Sequence, residues 1–73
     1  MTTKEIQARL NLRYEPIAFR SIERAHSFAS RCGTAMWVVL GDIEIDGEVE
    51  QGVAWVVCPA DAARLERAGY EIA

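Results

Sequence analysis

The residues of this 73-residue chain that could carry out acid–base, thiol or metal chemistry are few. His26 is the only histidine, and a catalytic histidine works beside a nucleophile and an orienting acid. Zinc is held by three or four protein ligands. One histidine and the two separated cysteines, Cys32 and Cys58, fit neither pattern, so we predict no catalytic residue, no metal site and no cofactor. We interpret His26 as a partly buried surface residue.

Cys58 is the stronger thiol candidate because it directly precedes a predicted helix. The N-terminus of a helix favours the thiolate form and activates cysteines. Cys58 also follows the apolar pair at 56–57, and this position favours a buried free thiol. Cys32 is interpreted in the same way, although a disulfide would form if the two Cα atoms came within about 7 Å. A thiol-dependent or metal-binding protein therefore ranks last among our hypotheses.

Five acidic residues with no basic residue among them form the third candidate. They are Asp42, Glu44, Asp46, Glu48 and Glu50. Their spacing resembles the first half of a calcium-binding EF-hand loop, but Val53 stands at the twelfth position, where a bidentate glutamate is required. The flanking segments also resemble strands and not helices. We therefore predict a solvated, acidic hairpin tip, whose charges oppose edge-to-edge aggregation.

Composition and charge exclude several classes of protein. The chain is 51% hydrophobic and 26% charged, which is typical of a globular domain, and no apolar run approaches the ~18 residues of a membrane span. Eight basic against eleven acidic residues do not suggest direct nucleic-acid binding. The segment 1–5 lacks the apolar middle of a signal peptide. We expect a single domain over 1–73, cytoplasmic and of bacterial or phage type.

The elements that position these groups centre on a predicted β-hairpin. The tripeptide Trp-Val-Val occurs at 37–39 and again at 55–57, and aromatic and β-branched residues favour strands. Asp46-Gly47 between the two runs is a strong hairpin signal.

The predicted register of the hairpin follows from where its apolar residues collect. A three-residue loop at 45–47 places Trp37 opposite Trp55, Val39 opposite Val53, and Ile43 opposite Val49. The second face then carries at its base Met36, Val38, Leu40, Ala54, Val56 and Cys58. A two-residue turn at 46–47 would scatter acidic and apolar residues over both faces, so we prefer the three-residue loop.

Upstream of the hairpin, apolar and polar residues alternate strictly over 6–15. The apolar positions are Ile6, Ala8, Leu10, Leu12 and Tyr14. This alternation predicts a strand with one buried face, ended by Pro16. A competing interpretation is a helix, because Thr2-x-x-Glu5 fits a capping box and Ile6 lies one helical turn from Leu10. The alternation covers more residues, so we prefer the strand.

A helix is predicted over about 21–32, between this strand and the hairpin. Its apolar stripe at helical spacing consists of Ile22, Ala25, Phe28, Ala29 and Cys32. Ser21 suits the N-cap, and Gly33 suits the left-handed position that ends a helix.

A second helix and a short strand follow the hairpin. Pro59 suits the first position of a helix, Asp61 is favourable in its first turn, and Gly69 marks its end. Residues 70–72 add a final strand. The order β-α-β-β-α-β predicts an α+β fold, a reduced ferredoxin-like antiparallel sheet with both helices on one face.

One resemblance covers about half of the chain. Residues 37–71 include Trp-Val-Val twice, then Pro-Ala-Asp-Ala-Ala-Arg-Leu and Ala-Gly-Tyr-Glu. This segment resembles a group of small uncharacterised bacterial and prophage proteins that share this ending. The resemblance implies no activity and supplies no catalytic residue.

The predicted fold leaves one apolar sheet face uncovered, either that of Trp37 and Trp55 or that of Met36, Val38 and Leu40. Exposed apolar patches of roughly several hundred Å² usually mark interfaces. We therefore expect a non-enzymatic protein-interaction module, a homodimer, whose acidic tip is directed toward a basic protein partner. The predicted partner-binding residues are Trp37, Trp55, Asp42, Glu44, Asp46, Glu48 and Glu50.

The alternative hypothesis is a small phage-type inhibitor of the anti-CRISPR kind. Such proteins are commonly short, acidic and single-domain, and they occlude a nucleic-acid-handling complex. Here the five acidic residues would stand in for phosphates and bind arginines of that complex. Neither hypothesis involves a membrane or direct nucleic-acid binding.

Overall fold

The computed structural model describes residues 2–45 and 48–73, and it describes side chains outside 42–52. Its elements are α1 (Thr3–Leu10), β1 (Ile17–Phe19), α2 (Ile22–Arg31), β2 (Trp37–Ile45), β3 (Glu48–Val57), α3 (Pro59–Arg67) and β4 (Glu71–Ile72). The four strands form one antiparallel sheet in the order β1-β3-β2-β4. The predicted α+β class is confirmed. Within the described ranges, no helix is long and apolar enough to cross a membrane.

The first element is a helix, and the strand predicted over 6–15 is wrong. The Thr2 hydroxyl accepts a hydrogen bond from the Glu5 backbone N–H at 3.2 Å, so the competing capping interpretation is confirmed. Asn11, with a left-handed φ of 54°, ends the helix. Ile6 is buried in the core, and so is Leu12, which lies beyond the helix. The alternating pattern is not that of one strand, because it runs from α1 into the segment that follows the helix.

The other two helices begin where their local signals predict. Ser21 caps α2, and its hydroxyl accepts a hydrogen bond from the Arg24 backbone N–H at 3.3 Å. Pro59 is the first residue of α3. Gly69 follows that helix with a φ of 102°, a conformation that glycine adopts without strain.

The helices lie on opposite faces of the sheet, which corrects the predicted ferredoxin-like arrangement. The crossovers β1–α2–β2 and β3–α3–β4 each join parallel strands that are separated by one other strand. Both crossovers step in the same direction across the sheet, while β1 and β3 run antiparallel. Because such crossovers are right-handed, α2 and α3 must lie on opposite faces.

Two hydrophobic clusters confirm this placement. The first packs the β3 residue Trp55 and its neighbours against α1 and α3, and consists of Ile6, Leu12, Val39, Val53, Trp55, Val57, Ala62 and Leu65. The second packs against α2 and consists of Ala25, Val38, Ala54 and Val56, with Phe19, Phe28, Ala29 and Met36 around it. Both faces of the four-stranded part are therefore covered, one by α2 and the other by α1 and α3.

Candidate functional site

The base of the hairpin is paired in a register that differs from the predicted one by two residues. Trp37 lies opposite Val57, and Val39 lies opposite Trp55. The predicted Trp37–Trp55 pair is therefore wrong. Because the difference is an even number, the base residues keep their predicted faces.

Farther along the hairpin, the register changes by one residue. An irregularity between Gly41 and Ile43 shifts the pairing, and the ladder ends with Ile45 opposite Glu48. Two residues separate these positions, which is the connection that the sequence argument rejected. With one continuous register a two-residue connection would mix acidic and apolar residues on both faces, whereas a local register shift lets this connection coexist with coherent faces at the base. Asp46-Gly47 itself lies outside the described residues.

Gly41 makes room for the largest side chain of the core. A Cβ atom at Gly41 would lie 2.5 Å from Cε2 of Trp55 and 2.6 Å from two further ring atoms. The indole is 1% exposed, and its ring centroid lies 5.5 Å from that of Tyr70. A glycine within an apolar strand is a sequence signal for such a close approach.

The two tryptophans predicted to bind a partner lie in different environments. Trp55 lies in the core, out of reach of a partner in this conformation. Trp37 is 47% exposed and borders a shallow depression of about 210 Å³ beside α3, together with Pro59, Ala63 and Ile72. The two side chains therefore do not form one binding surface.

The edge strands flank only the base of the hairpin. β1 pairs with residues 54–56 of β3, and β4 pairs with residues 39–40 of β2. Beyond these positions, among the described residues, the two long strands pair only with each other. We call residues 41–53 the hairpin arm. All five predicted acidic site residues belong to the arm, and their side chains lie outside the described part of the structure.

A groove of about 710 Å³ lies at the opposite end of the sheet, between segments 13–17, 34–36 and 56–61. Asp61 lines it and is fully buried. Its carboxylate accepts hydrogen bonds from the backbone N–H groups of Arg13, at 2.9 Å, and Tyr14, at 3.2 Å. The first turn of α3 thus holds the segment that leads into β1. The sequence suggested only a favourable charge at this helix end, because the bonded partners are 47 and 48 residues away.

The thiols and the histidine are not brought together. Cys58 is the half-buried N-cap of α3 and lines the groove, whereas the half-buried Cys32 follows α2, and both are free. His26 is exposed on α2, and not partly buried as predicted. Among the described side chains, no three histidine, cysteine or acidic groups could hold a metal ion together.

Comparison with known proteins gives no assignment. No protein-family model, no curated protein and no solved structure matches the chain. The resemblance of residues 37–71 to a group of small bacterial and prophage proteins therefore stays a prediction.

Proposed function

We propose that the protein is a non-enzymatic protein-interaction module whose docking element is the hairpin arm. The observation that carries this proposal is that β2 and β3 continue beyond both edge strands. A two-stranded hairpin alone in water is marginally stable, and unpaired strand edges readily pair with another chain. A partner that adds a strand to the arm would satisfy these edges by β-augmentation.

The charge of the arm favours a basic partner. The arm carries five acidic residues and no basic one, while the rest of the chain carries eight basic and six acidic residues. Concentrated negative charge speeds association with a basic surface and disfavours pairing between two arms. Each opposed pair near the end of the ladder joins one acidic and one apolar residue, as in Ile43 with Glu50 and Glu44 with Val49. A strand in which basic and apolar residues alternate fits this pattern.

The anti-CRISPR kind of inhibitor is the second candidate, and the same arm supports it. Five acidic residues on an element that continues past the rest of the sheet could occupy the nucleic-acid channel of a protein complex. A homodimer and a cytoplasmic location, both expected from the sequence, belong to the same proposal.

Charge reversal in the arm tests the proposal. The triple variant Glu44→Lys, Asp46→Lys and Glu48→Lys should bind a labelled ten-residue peptide of alternating lysine and valine at least about tenfold more weakly than the wild type. Fluorescence anisotropy at two salt concentrations measures this, and binding should weaken as salt increases. The inhibitor is tested by guide-directed DNA cleavage, which the wild type should slow and the triple variant should not.

The matched control changes the same amount of charge elsewhere. Glu5→Lys, Glu66→Lys and Glu71→Lys alter three exposed residues outside the arm. Peptide binding by this control should stay within about twofold of the wild type, since only non-specific attraction changes. Equal losses in both triple variants, or no peptide binding by the wild type, would contradict a specific role for the arm.

A further inference from the structure

The two strands of the hairpin arm differ at the position where their pairing shifts. Gly41 lies opposite Val53. The next pair joins Ile43 to Glu50, so that β2 contributes one residue between the two pairs, whereas β3 contributes two, at 51–52. Two residues against one is the count that defines a β-bulge, and the extra residue disrupts the ladder of the strand that carries it. The irregularity therefore belongs to β3 and leaves β2 regular.

The regular strand keeps a constant pattern of backbone groups along its outer edge, which is the edge away from β3. The Val38 carbonyl accepts a hydrogen bond from the Ala73 backbone N–H at 2.9 Å, so Val38 directs its polar groups toward the β4 side. In an antiparallel ladder every second residue of a strand bonds to the same neighbour, and Leu40, which pairs with β4, follows this pattern. Asp42 and Glu44 come next. Their backbone N–H and C=O groups point to an edge with which no strand among the described residues pairs.

The outer edge of β3 lacks this continuity. Before the shift, its outward residues are Ala54 and Val56, which pair with β1. Beyond the shift, Ile43 faces β3 and lies opposite Glu50, so the outward residue is Val49. The outward positions change from even to odd numbers, and a regular strand in line with β1 cannot follow them.

We propose that the partner strand of the hairpin arm adds to the outer edge of β2, antiparallel to it and in line with β4. This inference rests on the proposed function and names the edge that is used. Asp42 and Glu44 each exchange two backbone hydrogen bonds with the added strand. The free edge at 41–45 is longer than the part of β2 that pairs with β4, residues 39–40.

The register also defines the chemistry of the added strand. The partner residues directly opposite Asp42 and Glu44 are basic, because opposite charges across a strand pair stabilise it. The residue between them lies opposite Ile43 and is apolar. The recognised segment therefore has the order basic, apolar, basic. It belongs to a different protein, because the arm of a second copy would bring five further acidic residues and no basic one.

Proline substitutions at the two edges test this choice. Glu44 and Val49 lie opposite each other and both direct their N–H groups outward, so proline at either position removes an outward donor without breaking a bond between β2 and β3. The probe is the labelled ten-residue peptide of alternating lysine and valine, followed by fluorescence anisotropy. Glu44→Pro should bind it at least about tenfold more weakly than Glu44→Gln, which carries the same charge. Val49→Pro should stay within about threefold of the wild type.

Hydrogen exchange locates the edge without any substitution. In the wild type, saturating peptide should slow exchange at the amides of Asp42 and Glu44 at least about tenfold and change that of Val49 by less than about twofold. Protection of Val49 instead, protection of neither edge, or a larger loss in Val49→Pro than in Glu44→Pro would overturn the β2 edge and leave the arm as the docking element. A wild type that binds no peptide would refute the proposed function itself.

Discussion

Replacing Gly41 with alanine is expected to destabilise the fold by about 3 kcal/mol, the upper part of the range for overpacked cores. The new methyl group would overlap three atoms of the Trp55 ring. That ring is rigid and buried, and it packs against Tyr70, so moving it aside would be energetically costly. For a domain of this size, the melting temperature should fall by roughly 10–20 °C. Urea unfolding followed by circular dichroism measures the free energy.

Two further variants isolate the cause of this loss. Gly33→Ala adds a methyl group that meets nothing within 4 Å, so the free energy of unfolding should change by less than about 0.5 kcal/mol. Trp55→Phe removes part of the overlapping ring, together with a buried Nε1–H that has no acceptor among the described residues. It should therefore cost less in the Gly41→Ala background than in the wild type. Additive effects of the two substitutions would contradict a direct clash.

Replacing Asp61 with alanine is expected to cost about 2–4 kcal/mol, because two charge-assisted hydrogen bonds disappear and two partly buried N–H groups lose their acceptor. Asp61→Asn keeps one oxygen and should lose about half as much. Hydrogen exchange at the amides of Arg13 and Tyr14 should accelerate in both variants. This local measurement separates release of the segment from global unfolding.

Glu66→Ala provides the control on the same helix, because Glu66 is exposed. Its free energy of unfolding should stay within about 0.5 kcal/mol of the wild type. If Asp61→Ala behaved like Glu66→Ala, the segment before β1 would not depend on this carboxylate.

Local sequence signals correctly predicted the helices whose ends they mark. Ser21, Pro59 and Gly69 act within their own helices, so α2 and α3 were placed correctly. The alternation over 6–15 was misleading because it spans α1 and the segment after it, while only Thr2 and Glu5 indicated the helix. A helix cap involves only two residues, whereas the alternation covers ten. Tertiary packing decides which of the two signals prevails.

The candidate surfaces were predictable to a lesser degree. The acidic arm was visible as a run of charge in the sequence, and the hairpin strands around it were predicted. The register shift near Gly41 and the edge position of β1 were not, because both depend on how distant strands pair. Asp61 shows the same limit, since its partners come from the other end of the chain. The predicted fold left one apolar sheet face free because it placed both helices on the other face, whereas α2 lies on one face and α3, together with α1, on the other.

Helices on both faces restrict how this small protein can associate. Its four-stranded sheet can extend only sideways, through an edge strand, or lengthwise, through the arm. These two directions are roughly perpendicular, so occupation of one does not block the other. The proposed homodimer, if joined sideways through an edge strand, would carry two arms and would therefore be bivalent. Against a partner that presents two sites at the matching distance, such a dimer would gain about 10²- to 10⁴-fold in avidity over a single arm.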